Sequence, residues 1–491
     1  MKRYNCFYLS LFCLFVFSLI GCQTRAPESP KKVDIPEGEV DPAVWGVVYP
    51  VEYNLYKKTA EPKPVGLSKY KKGYDADLII YDKISEFPFL AILYNGMAFS
   101  LEYNEPRGHS YMLKDVLEID PARYAAGGVC LTCKSPYANI LREKMGEDYF
   151  KKPFMEVHSQ IPDKHKELGV TCVECHNPKT MENRISKFAL KDALRKMGKD
   201  PEHLEHQELR SLVCGQCHVT YVVEKDANMK SKNLFFPWDK SRYGRITIED
   251  IIKVLKSSPS YREWTQKMTG YKLAFIRHPE FELFTNNSVH FNANVSCADC
   301  HMPYKRVGNY KVSDHNVTSP LKNGMKSCIV CHSEGEEYLR NQVYAIQDRT
   351  VSTLLKAGYR LAYVTKYIEK VNSIRKEGKE IDPALLSKIQ DLYEESIYRL
   401  IFINAENSLG FHNPTETMRI LSDSISYAAE CEKILVKILS ENNVNYNEIR
   451  LQLVNYLNER GKKKLNFKPE QEFSDPFETL YEIVPKEINS R

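Results

Sequence analysis

Five Cys-x-x-Cys pairs between residues 130 and 331 constrain this chain more than any other feature. Four of the pairs are followed directly by histidine, and the first pair is followed by lysine. Four such histidine motifs far exceed what chance placement of 14 Cys and 13 His in 491 residues would give. The pairs and the residues that follow them are Cys130/Cys133/Lys134, Cys172/Cys175/His176, Cys214/Cys217/His218, Cys297/Cys300/His301 and Cys328/Cys331/His332.

The Cys-x-x-Cys-His motif is typical of covalent haem c attachment, in which two thiols bind the haem and the adjacent imidazole ligates the iron. A structural zinc site is the weaker interpretation. Zinc sites combine Cys-x-x-Cys with a second ligand pair and do not need a histidine directly after each pair. The motifs therefore predict four haems with His176, His218, His301 and His332 as proximal ligands.

Lys134 stands where the first motif would carry its histidine. A lysine must be neutral to bind iron, so burial and the metal would have to lower its pKa far below about 10.4. A haem with histidine on both faces is saturated and can only transfer electrons. The lysine site is therefore the candidate for an open iron position, and a degenerate motif is the alternative. Nine other histidines are available as distal ligands: His109, His158, His165, His203, His206, His278, His290, His315 and His412.

The first 21 residues have the charged start and apolar run of a secretory signal, ending in Leu-Ile-Gly before Cys22. This pattern predicts a lipoprotein anchored through Cys22 and facing the periplasm, and an ordinary cleaved signal is the alternative. Residues 22–40, rich in Pro, Lys and Glu, are predicted to form a flexible tether. The net charge of +5 is spread thinly and gives no reason to infer nucleic-acid binding. Cys431, on an apolar helical face, is predicted to lie in the core.

The remaining chain divides by its periodicity. Residues 41–335 carry the five motifs and predict a haem-bearing core of short helices, few short strands and many loops. Residues 336–445 contain three long amphipathic repeats, with Asp382-Pro383 and Pro414 as helix starts, and predict an antiparallel bundle. Its apolar stripes suit either plain core or a dimer interface. The fold class is mainly α, and residues 446–491 are predicted to be a peripheral segment.

The order of the motifs, lysine first and four histidine sites after it, resembles pentahaem cytochrome c nitrite reductase, the ammonia-forming enzyme. The similarity extends to CGQCHVTY at Cys214, RHPEFE at Arg277, SDHN at Ser313 and ENSLGFHNP at Glu406. It implies five haem c groups, a catalytic haem ligated by Lys134, and four bis-histidine haems that relay electrons. It also implies a homodimer and a membrane-bound multihaem quinol dehydrogenase as the electron donor.

The same resemblance assigns residues to roles. His315, His109, His412 and His290 would be the distal ligands of the second, third, fourth and fifth haems. Tyr221, His278 and Arg123 would surround the substrate at the open face of the Lys134 haem, with Lys114 as the alternative to Arg123. The four histidines without a role are expected at the surface: His158, His165, His203 and His206.

One departure from the family pattern concerns calcium, which many members bind beside the catalytic haem. The family's glutamate, lysine and glutamine positions read Thr220, Phe275 and Arg277 in this sequence. Calcium prefers several oxygen ligands, and a guanidinium repels it. We therefore expect that calcium is absent and that Arg277 takes its place, as in a calcium-independent branch of the family.

The expected reaction is the six-electron reduction of nitrite to ammonium. Two alternatives stay open: a multihaem electron carrier that performs no chemistry, and a reductase of hydroxylamine or sulfite. An electron carrier would gain nothing from an open iron, which argues against the first.

Overall fold

The computed structural model describes residues 34–480. The predicted signal peptide and Cys22 lie outside the described residues. The described chain is mainly helical with three short antiparallel hairpins, as the sequence predicted. Within residues 34–480, no helix is both long and apolar enough to cross a membrane.

Short helices and loops make up the motif-bearing part of the chain. The hairpins pair β1 (Val222–Lys225) with β2 (Ser231–Phe235), β3 (Trp264–Thr265) with β4 (Lys272–Leu273), and β5 (Tyr304–Val307) with β6 (Tyr310–Ser313). The helices are α1 Pro42–Val48, α2 Pro50–Lys57, α3 Lys83–Glu86, α4 Leu90–Leu93, α5 Met112–Leu117, α6 Val129–Thr132, α7 Ala138–Met145, α8 Asp148–Lys151, α9 Phe154–Ser159, α10 Phe188–Lys196, α11 His206–Gly215, α12 Ile248–Lys256, α13 Glu280–Thr285, α14 Val289–Asn292 and α15 Cys297–His301.

Three long helices follow: α16 (Glu336–Lys376), α17 (Pro383–Ala405) and α18 (Pro414–Glu441), before the short α19 (Val454–Leu457). The two predicted starts are correct, since Asp382 and Asn413 accept backbone hydrogen bonds as N-caps ahead of Pro383 and Pro414.

Contacts between these helices fix their directions. Ser396 pairs with Ser424, and the Cys431 thiol contacts the Ile389 carbonyl, so α17 and α18 run antiparallel. Arg360 of α16 pairs with Glu432 of α18, whereas Thr350 lies near the start of α18 beside Gly410. Helices α16 and α18 therefore run parallel, and the three helices alternate in direction. Cys431 is fully buried, as predicted.

The long helices share one apolar core with the motif-bearing part. The Phe89 ring contacts Tyr359 of α16 edge-on at 5.5 Å between ring centroids. It also lies against Gly358, where an added Cβ would stand 2.4 Å from the ring. Only glycine permits this approach, which seats the loop before α4 on α16.

Two segments pack more closely than the sequence suggested. Residues 34–40 were predicted to be part of a flexible tether, but Ile35 and Val40 are buried beside Trp45. The Trp45 indole also donates to the Glu39 carbonyl at 2.9 Å. The tether prediction is therefore wrong for residues 34–40, because two apolar side chains anchor them.

The described part of the C-terminal segment is likewise not peripheral. Leu451 and Leu457 are buried in the main core, and the Phe473 ring meets Phe87 edge-on at 4.9 Å. Arg460 forms a buried ion pair with Asp82. The segment therefore folds back onto the motif-bearing part, through contacts between residues nearly 380 positions apart.

Candidate catalytic and cofactor sites

Nine of the ten motif cysteines are half-buried, and the tenth, Cys331, is exposed. The nine half-buried ones line one continuous cavity. Cysteines of all five motifs, spread between residues 130 and 328 of the sequence, therefore meet at one space in the fold.

Every motif histidine lies opposite a second histidine, and all of these rings except His332 line the cavity. Two imidazoles that bind one metal atom from opposite sides, each with its nitrogen about 2 Å from the metal, have ring centroids about 6 Å apart. The ring centroids lie 6.0 Å apart in His176–His315, 6.2 Å in His218–His109, 6.2 Å in His301–His412 and 6.3 Å in His332–His290. The structure thus brings together each of the four predicted pairs.

Hydrogen bonds orient several of these rings. The Nδ1 atoms of His176, His301 and His315 lie 2.9, 3.0 and 2.9 Å from backbone carbonyl oxygens. The Nδ1 atom of His412 instead lies 2.7 Å from a Glu406 carboxylate oxygen. An imidazole that donates through Nδ1 keeps the Nε2 lone pair free for a metal. The four rings are therefore held in the tautomer that haem iron needs.

The motifs are also close to one another. The Cys133 thiol lies close to the Cys217 thiol, and the Cys214 thiol lies close to the Cys297 thiol. The first motif therefore adjoins the third, and the third adjoins the fourth. Groups held by these three motifs would form a continuous row.

Lys134 lines the cavity together with Tyr221 and His278. It follows α6, and its backbone N–H donates to the Leu131 carbonyl at 3.0 Å. Before α6, Gly127 adopts a φ of +62°, and an added Cβ would stand 2.3 Å from the Phe150 carbonyl oxygen. Glycine there permits the close approach that sets the position of the motif.

His278 and Tyr221 are both held in their neutral forms. Burial, followed by the positive charge of Lys134, lowers the pKa of His278 well below 6.5. Burial also raises the pKa of Tyr221 above its usual 10. His278 has a φ of +47°, a left-handed conformation that is uncommon for residues other than glycine. Its ring position therefore depends on an unusual backbone turn.

Neither of the two candidate substrate-binding cations is among the described residues that line the cavity. Arg123 is outside the set of described residues that line the cavity, and its guanidinium stacks on Phe99 with Cζ 3.8 Å from the ring centroid. Lys114 is partly exposed and pairs with Glu167 at 3.2 Å. Arg123 is nevertheless close enough for its charge to act on Cys130 and Tyr221, whereas Lys114 lies at the surface.

Arg277 lies directly beside Tyr221, with Cζ 4.8 Å from the ring centroid. Its guanidinium donates to both Glu263 carboxylate oxygens, at 2.9 and 2.5 Å. It also donates to the backbone carbonyls of Tyr221 at 3.3 Å and Phe275 at 3.0 Å. A cation therefore satisfies two carbonyls at the edge of the site. The sequence did not reveal Glu263, which hairpin β3–β4 brings back to Arg277 from fourteen residues away.

The four histidines expected at the surface divide into two pairs. His203 and His206 are exposed, as expected. His158 and His165 are 6% and 5% exposed, so the expectation is wrong for them. His158 Nε2 lies 2.8 Å from the Lys166 carbonyl, and His165 Nδ1 lies 2.7 Å from the Tyr137 hydroxyl. These hydrogen bonds offset the cost of burying both rings.

Comparison with known proteins agrees with this geometry. The profile of the cytochrome c552 family matches residues 41–486. The chain belongs to the cytochrome c552 family. Cytochrome c-552 of Bacteroides fragilis is 31% identical over 451 residues, covering 88% of this chain and 86% of the relative. Cytochrome c nitrite reductase subunit NrfA of Nitratidesulfovibrio vulgaris is 30% identical over 414 residues, covering 81% of this chain and 78% of the relative.

The fold is similar to a solved structure as well. Cytochrome c nitrite reductase from Desulfovibrio desulfuricans superposes with a TM-score of 0.74 at 29% identity, over 82% of this chain and 88% of that one. The family predicted from the haem motifs is therefore confirmed. That catalytic subunit is described as having two calcium sites. The absence of calcium from this chain stays a prediction.

Proposed function

We propose that this protein reduces nitrite to ammonium at a haem attached to Cys130 and Cys133 and ligated by Lys134. One observation carries the proposal: four motif histidines each face a second histidine, whereas the Lys134 motif lies close to His278 and Tyr221 in the cavity wall. One site of the five thus differs from the others in a way that leaves room for a substrate. The relative named as a nitrite reductase subunit supports nitrite as that substrate.

Bound haem c would supply the iron at which nitrogen is reduced and the electron route to it. The chain's own residues would do the rest. The positive charges of Arg277 and Arg123 favour an anion in the adjoining cavity. Neutral His278 and Tyr221 can donate the protons that leaving oxygens need, since each still carries one. Burial of these groups in the cavity wall strengthens both effects, because the surroundings screen charge poorly.

We further propose that electrons come from a membrane-bound multihaem quinol dehydrogenase and that the protein works in the periplasm, anchored through lipid on Cys22. The row formed by the first, third and fourth motifs would carry the electrons inward. We also propose a homodimer through the long helices. Met418 and Ile425 of α18 are only partly buried and suit a partner surface.

The assay that tests the reaction supplies reduced viologen and nitrite to the purified five-haem protein. We expect one ammonium formed for each nitrite consumed, with six electrons taken from the viologen. Absence of turnover would favour the electron carrier, and nitric oxide as product would overturn the six-electron reaction. Parallel assays with hydroxylamine and sulfite should show lower kcat/KM than nitrite; a higher value would make that compound the substrate.

We predict that activity does not depend on calcium. Dialysis against a chelator should leave nitrite turnover unchanged, and added Ca²⁺ should not raise it, because the Arg277 guanidinium already binds the Tyr221 and Phe275 carbonyls. Arg277→Gln should lower turnover by at least about tenfold, since it removes the positive charge beside Tyr221 and leaves the Glu263 carboxylate to repel an anion.

The matched control is Arg262→Gln. Arg262 also forms an ion pair with a buried glutamate, Glu394 at 2.8 Å, but away from the cavity. It should cost stability without a comparable loss of turnover per folded molecule. Loss of activity on chelation that Ca²⁺ restores would contradict the prediction, as would equal effects of the two variants.

A further inference from the structure

Glu406 is the carboxylate partner of a predicted haem ligand. Its Oε1 atom lies 2.7 Å from His412 Nδ1, and the side chain is fully buried. The ordered Nδ1 contacts of His176, His301 and His315 are with neutral backbone carbonyls instead. His218 Nδ1 lies 3.9 Å from a Glu280 carboxylate oxygen, too far for a hydrogen bond. Among these ring contacts, His412 is thus the one that is hydrogen-bonded to a carboxylate.

The loop from Glu406 to Asn413 fixes this carboxylate in place. Oε1 also accepts from the Ser408 N–H at 2.9 Å. Oε2 accepts from the Ser408 hydroxyl at 2.9 Å and from the Gly410 N–H at 3.2 Å. Gly410 has a φ of +84°, and an added Cβ would stand 2.5 Å from Thr350 Oγ1 of α16. The carboxylate thus accepts four hydrogen bonds and cannot turn away from the ring without losing them.

We propose that Glu406 is a positioning residue that lowers the reduction potential of the haem held by His301 and His412. A carboxylate that accepts the Nδ1 proton makes the imidazole a more basic ligand. A more basic ligand stabilises the oxidised iron, and hydrogen bonds to the ligands of the iron are one of the means by which proteins set haem potentials. The proposal rests on the haem ligation proposed above, but not on nitrite being the substrate.

The position of this haem in the row explains how a low reduction potential would aid electron transfer. The fourth motif adjoins the third through Cys297 and Cys214, and the third adjoins the first through Cys217 and Cys133. An electron at a low-potential fourth haem is favoured to move on toward the Lys134 site. Glu406 would therefore oppose electron storage at the fourth haem and favour transfer to the site of reduction.

The test is a spectroelectrochemical titration of the five-haem protein without nitrite, with electron paramagnetic resonance spectra recorded along it. In Glu406→Gln, which keeps the shape of the side chain and removes its charge, one midpoint potential should move to a more positive value while four stay unchanged. Glu406→Asp, which withdraws the carboxylate by one methylene, should move the same midpoint in the same direction by less. Unchanged midpoints, or an equal shift of all five, would overturn the proposal.

Glu394→Gln is the matched control. It removes a buried carboxylate from α17, the helix that ends just before Glu406, but its partner is Arg262 and not a histidine. All five midpoints should stay at their original values. If Glu406→Gln retains fewer than five haems, Glu406→Asp decides alone: a shifted midpoint supports the proposal and original midpoints overturn it. The titration contains no nitrite, so its midpoint potentials can be interpreted even if the protein fails to reduce nitrite.

Discussion

Replacing Lys134 by histidine should leave five covalent haems in place and lower nitrite turnover by at least about tenfold. Haem attachment depends on the thiols of Cys130 and Cys133, which the substitution does not change. The amine of lysine is a σ-donor without a ring, whereas imidazole differs in electron donation and in size. The substitution should therefore alter the iron at which reduction is proposed to occur without removing it.

Haem content from the pyridine haemochrome spectrum and turnover with reduced viologen are the two measurements. Lys114→His is the matched control, because Lys114 is partly exposed and pairs with Glu167. It should keep both haem content and activity. Unchanged turnover in Lys134→His would mean that the lysine does not tune the site, and loss of a haem would mean that its role is attachment.

The long helices were predictable because each carries its own signals. Apolar residues recur at helical spacing along α16, and Asp382-Pro383 and Asn413-Pro414 mark the next two starts. These signals lie within or next to the helices that they predict, and the helices begin where the signals indicate. The packing of residues 446–480 was not predictable in this way. It depends on pairs such as Arg460–Asp82, whose members are far apart in sequence and carry no local sign of each other.

The candidate site also combines features that the sequence predicted with features that it did not. Cysteine spacing identified the attachment points directly, and the resemblance to a family supplied the distal partners that the structure brings near each motif histidine. Neither the cysteine spacing nor the family resemblance identified Glu263, because only the folding of hairpin β3–β4 brings it to Arg277. The prediction that His158 and His165 are exposed was wrong, because a histidine without a role in the family pattern can still be buried. Burial requires only a hydrogen-bond partner, and here Lys166 and Tyr137 provide one.

Glu406 lies between these cases. It stands six residues before His412 within the ENSLGFHNP stretch, so the sequence places it close to a predicted ligand. Sequence spacing alone cannot show that its carboxylate turns back onto the ring. That geometry needs the turn at Gly410 and the N–H groups of Ser408 and Gly410. The sequence showed that Glu406 and His412 are close along the chain, but it did not show that their side chains are hydrogen-bonded.

Replacing His278 by asparagine should lower nitrite kcat by about 10²-fold or more, within the range that a positioned proton donor contributes. Asparagine suits this test because His278 has a φ of +47°, and asparagine adopts left-handed conformations more readily than most residues. The backbone turn that precedes α13 should therefore persist. No haem should be lost, because His278 is not paired with a motif histidine.

Comparing kcat with KM separates the two roles available to His278. If it donates protons, kcat falls while KM stays close to its original value; if it mainly binds the anion, KM rises and kcat changes little. His158→Gln is the control, because His158 is also buried and donates a hydrogen bond to the Lys166 carbonyl, but it does not line the cavity. Equal losses in both variants would assign the effect to folding. A His278→Asn enzyme with full kcat would leave Tyr221 as the proton donor on this side of the Lys134 site.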